Sequence, residues 1–416
     1  MPIQGPVVIV AERPAPDLVN ALAEAGAFPV VEARPLEAMT AFAAANPSAL
    51  VLADAGGLEA GVAAEIARLA KLHQPLLPVM ACVAPDRRFA HPDFLPVPAD
   101  VRPGRLIARL QAALRIRAGH ATLLGRSHML TTRGIAVPEF PAGDPLDDAT
   151  VLVAGRGRSY PALSVAVGGH AGLIGALSLD AAARALRARE VDGIVIGDGF
   201  SPKMVDAFLT VLAEDSRFRD LPVGMLGGAA FDFDHELSNF TGLDDPEILV
   251  DHILPFVRLH AFEARLKRML ASLDTEGLLD PDTGLLKEDA FLRDLTRAVR
   301  DSGHRGVGLS IARFTFTDEL DRRASMDAAR LVSRLVRAID FGCRDDDGSI
   351  VVVFTETDLR HAHVVARRIA SVLKHTMLQP GDTPVAPSVT LATMKSSDNI
   401  ATLMARVASA GVLAAE

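Results

Sequence analysis

The stretch "RAIDFGCRDDDGSIVVVF", Arg337 to Phe354, decides how the C-terminal third of this 416-residue chain is read. It reads as the end of a helix, a short strand, an acidic turn and a β-rich strand. Asp-Gly ahead of an alternating apolar run is a hairpin signal, so Asp345-Asp346-Asp347-Gly348 should reverse the chain between two strands. Adjacent acids also invite a metal, but in a tight turn they point apart unless a cation draws them together. A solvated turn is the plainer reading. Just before it, Arg337 and Asp340 stand three apart, and on one helical face they would form a surface ion pair worth roughly a few tenths of a kcal/mol. The sharper alternative uses guanidinium geometry: an Arg fork matches guanine O6 and N7, and a neighbouring carboxylate accepts the guanine N1–H and N2–H donors. The spacing alone is not specific, because Arg217–Asp220 and Arg344–Asp347 share it.

Outward from this hairpin the pattern predicts a helix over Lys287–Arg300, a strand over Gly306–Phe314 and a helix over Ser325–Ile339. A helix over Leu359–Leu378 and a strand "SVTLATM" follow it. Ser325 suits an N-cap, and Ala328, Leu331, Leu335 and Ile339 recur on one face. That order describes an α/β unit with a mixed or antiparallel sheet. Upstream, short apolar runs alternate with alanine-rich amphipathic stretches twice over. The first set begins at "VVIV" (Val7–Val10) and includes "ALVLAD" (Ala49–Asp54) and a helix around Val62–Lys71; the second includes "TVLVAG" and "DGIVIGD" (Asp192–Asp198). Strand–helix alternation of this kind argues for two doubly wound parallel sheets. The expected division is residues 1–118, a linker with helix at its start over 119–148, 149–273, and 274–416.

Composition narrows the function. Aromatics are 5% with no Trp, which leaves few platforms for stacking single-stranded nucleic acid, and a net charge of −9 opposes general attraction to nucleic acid or anionic lipid. Only Cys82 and Cys343 are present, far apart, so neither a zinc site nor a disulfide framework is expected. The N-terminus lacks a basic leader, and no apolar run reaches the roughly 18 residues of a spanning helix. A cytoplasmic protein without membrane insertion is expected.

Functional groups in open α/β sheets gather at the carboxyl ends of strands, where Asp54 and Asp198 fall. Either could accept a phosphoryl group if further acids held a cation. Glu12 follows the first strand of one domain, but Gly155 and Arg156 follow that of the other. A strand-end Asp that caps a neighbouring turn is the alternative, and the stronger one for Asp198. No GxGxxG or GxxxxGK[ST] occurs, so the glycines of "GRGRSYPALSVAVGG" are read as turn residues.

This order of parts resembles the PleD-type response regulators, receiver–receiver–GGDEF. Asp280-Pro-Asp282-Thr283-Gly284-Leu285 is similar to the opening turn of that family's last domain. Arg337–Asp340 stands where its inhibitory RxxD lies, five residues before the signature turn. The resemblance implies two flavodoxin-like receiver domains and a GGDEF-type domain. At the five signature positions, however, stand Asp346, Asp347, Gly348, Ser349 and Ile350. The family's metal-binding strand has become Ser310-Ile-Ala312-Arg313-Phe314-Thr315. Its Asn after the Thr-Gly-Leu turn is Lys287, and its Gly-His-x-x-Gly-Asp loop is missing. The resemblance therefore implies no diguanylate cyclase, no metal and no cofactor, but a receptor that holds cyclic di-GMP, as an intercalated dimer, through Arg337, Asp340 and Arg368. Both receivers depart too: the usual acidic pair is Ala11–Glu12 in one and Gly155–Arg156 in the other, and Val97 precedes Pro98 where a Lys is usual. They are expected to act as docking or homodimerisation modules, with Asp54 a candidate phosphoacceptor. Protein partners in cell-cycle control or regulated proteolysis, and recruitment to the cell pole, follow from the resemblance alone. The competing readings are a scaffold without ligand and a weak cyclase.

Overall fold

A strand covered on both faces must be apolar at every position, and the run Val7–Val10 (β1) meets that demand in the computed structural model. Val7 and Ile9 enter one core with Leu22, Leu106 and Leu110; Val8 and Val10 enter another with Leu50, Ile66 and Phe94. β1 lies between β2 (Val30–Ala33) and β3 (Ala49–Leu52), and β4 (Val79–Val83) and β5 (Leu95–Pro98) complete a parallel sheet of order β2-β1-β3-β4-β5. The helices α1 (Pro16–Glu24), α2 (Ala38–Ala45), α3 (Ala60–Leu72) and α4 (Pro103–Thr132) are interleaved with these strands.

The same winding recurs in β6 (Thr150–Ala154), β7 (Gly172–Ala176), β8 (Gly193–Ile196), β9 (Val223–Leu226) and β10 (Phe240–Leu243). These form a parallel sheet of order β10-β9-β8-β6-β7, with α5 (Tyr160–Gly168), α6 (Leu179–Ala188), α7 (Pro202–Glu214) and α8 (Pro246–Asp274) between and after them. Counted within each sheet, both follow the doubly wound order 2-1-3-4-5. The chain belongs to the α/β class.

The third sheet is antiparallel. α9 (Glu288–Arg305) leads to β11 (Leu309–Phe316), and α10 (Arg322–Leu335) leads to the hairpin of β12 (Phe341–Arg344) and β13 (Ile350–Thr355). α11 (Leu359–Thr376) is followed by a two-residue pair, β14 (Leu378–Gln379) and β15 (Thr383–Pro384), then β16 (Pro387–Thr393) and α12 (Ile400–Ser409). Its order is β12-β13-β11-β16. Side chains of β13 alternate: Ile350, Val352 and Phe354 pack with Ala328, Val332 and Ile369 of α10 and α11, whereas Val351 and Val353 pack with Phe291, Leu295 and Leu403 of α9 and α12. Helices on both faces explain the unbroken "IVVVF".

The structure describes the chain except residues 1, 2, 4, 85–91, 100–102, 133, 135, 216, 219, 228–236, 276, 306–307, 317–319, 338, 356, 377, 380–382, 385–386, 396 and 410–416. It divides into two compact units. One comprises Met1–Met129, Gly143–Arg184 and Val191–Leu266, and the other Leu130–Ala142, Ala185–Glu190 and Lys267–Glu416.

Within the first unit, Arg109 of α4 is 1% exposed and donates to Pro96 O of β5 at 3.0 Å, Thr241 Oγ1 of β10 at 3.0 Å, and Phe240 O. β5 and β10 are edge strands of their sheets. One guanidinium thus satisfies backbone acceptors on two sheet edges.

Several sequence expectations change. α10 is capped by Asp321, whose carboxylate accepts Ala324 N–H at 2.7 Å, and not by Ser325, which is buried inside the helix. It stops at Leu335, because Val336 adopts ψ 140 and leaves helical space, so Ile339 is outside the helix and 59% exposed. The helix expected at the start of the linker is the continuation of α4, which runs to Thr132 despite Gly119 and Gly125, each tolerable at about 1 kcal/mol. The strand expected from Gly306 begins at Leu309; Gly306 and Val307 lie outside the described residues.

Candidate functional site

Because α10 ends early, Arg337 and Asp340 sit in a turn leading into β12 and not on a helical face. Asp340 N–H donates to Arg337 O at 3.0 Å and closes it; Ala338, between them, lies outside the described residues. Asp340 is 8% exposed. Its Oδ1 accepts the Thr355 N–H at 2.9 Å and the Thr355 hydroxyl at 3.3 Å, and that hydroxyl also donates to Ile339 O at 3.0 Å. Thr355 ends β13, beside β12 in the hairpin, so strand pairing itself brings it to the turn. Burial pushes the Asp340 pKa up, while the Thr355 donors and the nearby Arg337 charge oppose that shift. Arg337 is exposed, and among the described residues its guanidinium makes no hydrogen bond or ion pair. An uncommitted guanidinium beside a carboxylate held through one oxygen could meet a planar ligand carrying both acceptors and donors.

Arg368 is exposed on α11, opposite the face on which Ala362, Ala366, Ile369 and Leu373 are buried. Its neighbour Arg367 is exposed as well. Neither makes a hydrogen bond or ion pair among the described residues, so no direct contact joins Arg368 to Arg337 or Asp340.

At the far end of the hairpin, the cation that draws the acids together is a side chain. Arg313 Nη2 of β11 lies 2.5 Å from Asp347 Oδ2 and 3.0 Å from Asp345 Oδ2. Burial raises the Asp347 pKa, but Ser349 and Arg313 outweigh it and hold the carboxyl below its ordinary value. Gly348 has φ +80 and its N–H donates to Asp345 O at 2.9 Å; Asp345 N–H returns to Ser349 O at 2.8 Å. Asp346 N–H donates to Asp345 Oδ1 at 3.1 Å. Ser349 Oγ is buried with no hydrogen-bond partner among the described residues, and Ile350 is in the core. The acidic turn is a hairpin clamped by Arg313, with Asp346 and Asp347 still exposed to solvent.

The residues present do not fit a divalent cation at the positions that the family resemblance would give it. Ala312 is 0% exposed and carries no donor oxygen. Ser310 is equally buried, and its hydroxyl is engaged with Thr357 O at 2.9 Å and Thr393 Oγ1 at 2.8 Å. Among the described residues no group of three His, Cys, Asp or Glu side chains is placed to hold a metal ion.

The turn Asp280–Leu286 is tightly made: Asp280 Oδ1 accepts Asp282 N–H at 2.7 Å and Thr283 N–H at 3.1 Å, and Gly284 has φ +73. Ser333 and Arg330 of α10 donate to Gly284 O and Asp282 O at 3.0 and 2.8 Å.

Of the strand-end aspartates, Asp54 lies just beyond β3, exposed, and accepts Gly57 N–H at 3.1 Å. Asp198 is spent on capping: it accepts Arg158 N–H at 3.1 Å, Ser159 N–H at 3.2 Å and the Ser159 hydroxyl, which leads the causes that lower its pKa. Two side chains that shape this candidate site, Thr355 and Arg313, were not evident as such in the sequence. For Arg313 there was a signal, a charged residue in a strand otherwise buried on both faces.

No family model matches the chain, and no curated protein matches it. Solved structures similar to it are GGDEF-domain proteins. One is the coiled coil and GGDEF domain of DgcB from Caulobacter crescentus in complex with c-di-GMP, at 17% identity, covering 35% of this chain and 84% of that one, with a TM-score of 0.31. Another is the FimX GGDEF domain from Pseudomonas aeruginosa, at 16% identity over 32% of this chain and 89% of that one, TM-score 0.29. A third is the active GGEEF domain of a diguanylate cyclase from Vibrio cholerae, at 14% identity over 28% and 83%, TM-score 0.27.

Proposed function

We propose that the chain is a non-catalytic receptor for cyclic di-GMP of the response-regulator class. The observation that carries this reading is the contrast between the two ends of one hairpin. At the Arg337–Asp340 end, Asp340 is oriented by Thr355 through one oxygen and Arg337 has no partner among the described residues, which leaves acceptor and donor groups for guanine edges. At the other end Arg313 ties up Asp345 and Asp347, while Ser310, Ala312, Gly348 and Ser349 stand where metal carboxylates would be required. Arg368 is the third ligand residue in this reading, and the ligand is an intercalated dinucleotide dimer.

The two parallel-sheet regions act as degenerate receivers that dock partners or pair two copies of the chain, with Asp54 a candidate phosphoacceptor. In this character the chain resembles PopA, the PleD paralogue that binds cyclic di-GMP at the cell pole and helps deliver a cell-cycle regulator to a protease. Ligand binding would bias the surface offered to such a partner.

Calorimetric titration of the full chain with cyclic di-GMP tests the proposal. The expected result is saturable heat at two dinucleotides per chain, lost in Arg337→Gly. Absence of heat, or equal binding by the variant, sinks the receptor reading and leaves a ligand-free scaffold. Product from GTP with Mg²⁺ or Mn²⁺ would overturn the non-catalytic part, and none is expected.

A further inference from the structure

Within the first compact unit, a cavity of about 250 Å³ opens where the end of α3, the start of β4 and the faces of α4 and α8 meet. It lies by the amino ends of β4 and β5, away from Asp54, which follows the carboxyl end of β3. A water needs about 10–15 Å³ by the same measure, so this space exceeds a single hydration site many times over. Well-packed interfaces close such gaps.

The walls are largely apolar, with Leu77, Pro255, Leu259 and Phe262 among them, and the charged lining residues are Lys71, Asp93 and Arg258. Lys71 is exposed at the rim and has no hydrogen bond or ion pair among the described residues. His73 stands beside it, its Nδ1–H donating to Pro75 O at 2.8 Å. Deeper in, Arg258 is held by Asp144 at 2.8 and 2.9 Å, so its charge is already matched. His120 also lines the space. Its Nδ1 accepts Leu76 N–H at 3.0 Å, and burial followed by the Arg117 charge lowers its pKa, so the ring is neutral with its proton on Nε2. Asp93 is the one carboxylate in the lining among the described residues, 3.8 Å from Arg258. The cavity therefore offers an apolar body site and an unmatched cation at its mouth.

We propose that this cavity is a binding site for a small anionic amphiphile. A flat or branched apolar group would enter between Leu259 and Phe262, and a carboxylate or similar head would meet Lys71. Sites of this size at the junction of two folded regions, with few polar groups, suit such ligands. The proposal is independent of cyclic di-GMP.

The test titrates the full chain calorimetrically with 2-naphthoate and with the neutral 2-naphthalenemethanol of nearly the same shape. The expected result is one naphthoate per chain, with the alcohol at least tenfold weaker. Lys71→Glu, a surface change that leaves folding intact, should weaken naphthoate at least tenfold and leave the alcohol unchanged. Leu259→Trp should fill the site and abolish both. Failure of naphthoate to bind, equal binding of acid and alcohol, or naphthoate binding unaffected by either substitution overturns the proposal.

Discussion

Replacing Asp340 by Asn should move stability and ligand affinity in opposite directions. The carboxylate is 8% exposed, and burial pushes its pKa above the ordinary value against the pull of Thr355 and Arg337. A carboxyl whose folded pKa is raised contributes stability fully present below its unfolded pKa, which is lost as pH rises through the folded pKa. At neutral pH the ionised form is therefore held at a cost. Asn keeps an acceptor for the Thr355 N–H, seen at 2.9 Å, and removes the charge. The denaturation midpoint of Asp340→Asn should exceed wild type at pH 7, and the gap should close as pH falls towards the ordinary carboxylate value. Affinity should fall. A carboxylate accepting guanine N1–H and N2–H makes two charge-assisted bonds, and an amide keeps one neutral acceptor and presents an NH₂ to the other donor. The loss is about 2–3 kcal/mol, or roughly 30- to 150-fold in Kd. Urea titrations at several pH values and calorimetry with cyclic di-GMP read both quantities. A variant that is less stable at pH 7, or that binds as wild type does, refutes the reasoning.

Further expectations concern single side chains. Thr355→Val keeps the backbone donor to Asp340 but deletes the hydroxyl shared between Asp340 and Ile339 O, and should cost about 1 kcal/mol of dinucleotide affinity, roughly five- to tenfold. Arg109→Met withdraws a donor from Pro96 O, Phe240 O and Thr241 Oγ1, and should destabilise the first unit by about 2–4 kcal/mol, seen as a lower urea midpoint with binding at Arg337 unchanged. Gly348→Ala meets no atom within 4 Å, so its cost is the left-handed backbone alone, about 1–2 kcal/mol by denaturation. Arg313→Ala should leave Asp345 and Asp347 repelling each other and make stability rise more steeply with added salt than in the wild type.

The elements carrying strong periodicity were legible in sequence. β1 and β13 are apolar at every position because both faces are covered, and Asp-Gly marked the hairpin turn by its demand for positive φ, met at Gly348. Helix ends were not legible, because they depend on local competition. Asp321 caps α10 in preference to Ser325, and Val336 leaves helical space despite the apolar spacing that continues to Ile339. The candidate site was legible only as residue types. That Asp340 is buried, and that Thr355 orients it, depends on which residue of β13 lies beside the start of β12, a pairing fixed by the turn length and invisible along the chain. Arg313 stands out in sequence as a charge within a buried strand, but its acidic partners, 32 and 34 positions away, do not.

The hairpin also explains why the two ends can serve different ends. Ile350 to Thr355 is six residues of extended chain, so the clamped turn and the Asp340 turn lie about 17 Å apart at roughly 3.4 Å per step. That exceeds the screening length of about 8 Å at physiological salt, and β13 between them is packed on both faces. Electrostatic changes at Asp345–Asp347 should therefore barely reach Asp340, and any coupling must travel through strand register, which a core this dense resists. Substitutions in the acidic turn should for that reason leave the Arg337–Asp340 end intact, with Asp340 still oriented by Thr355.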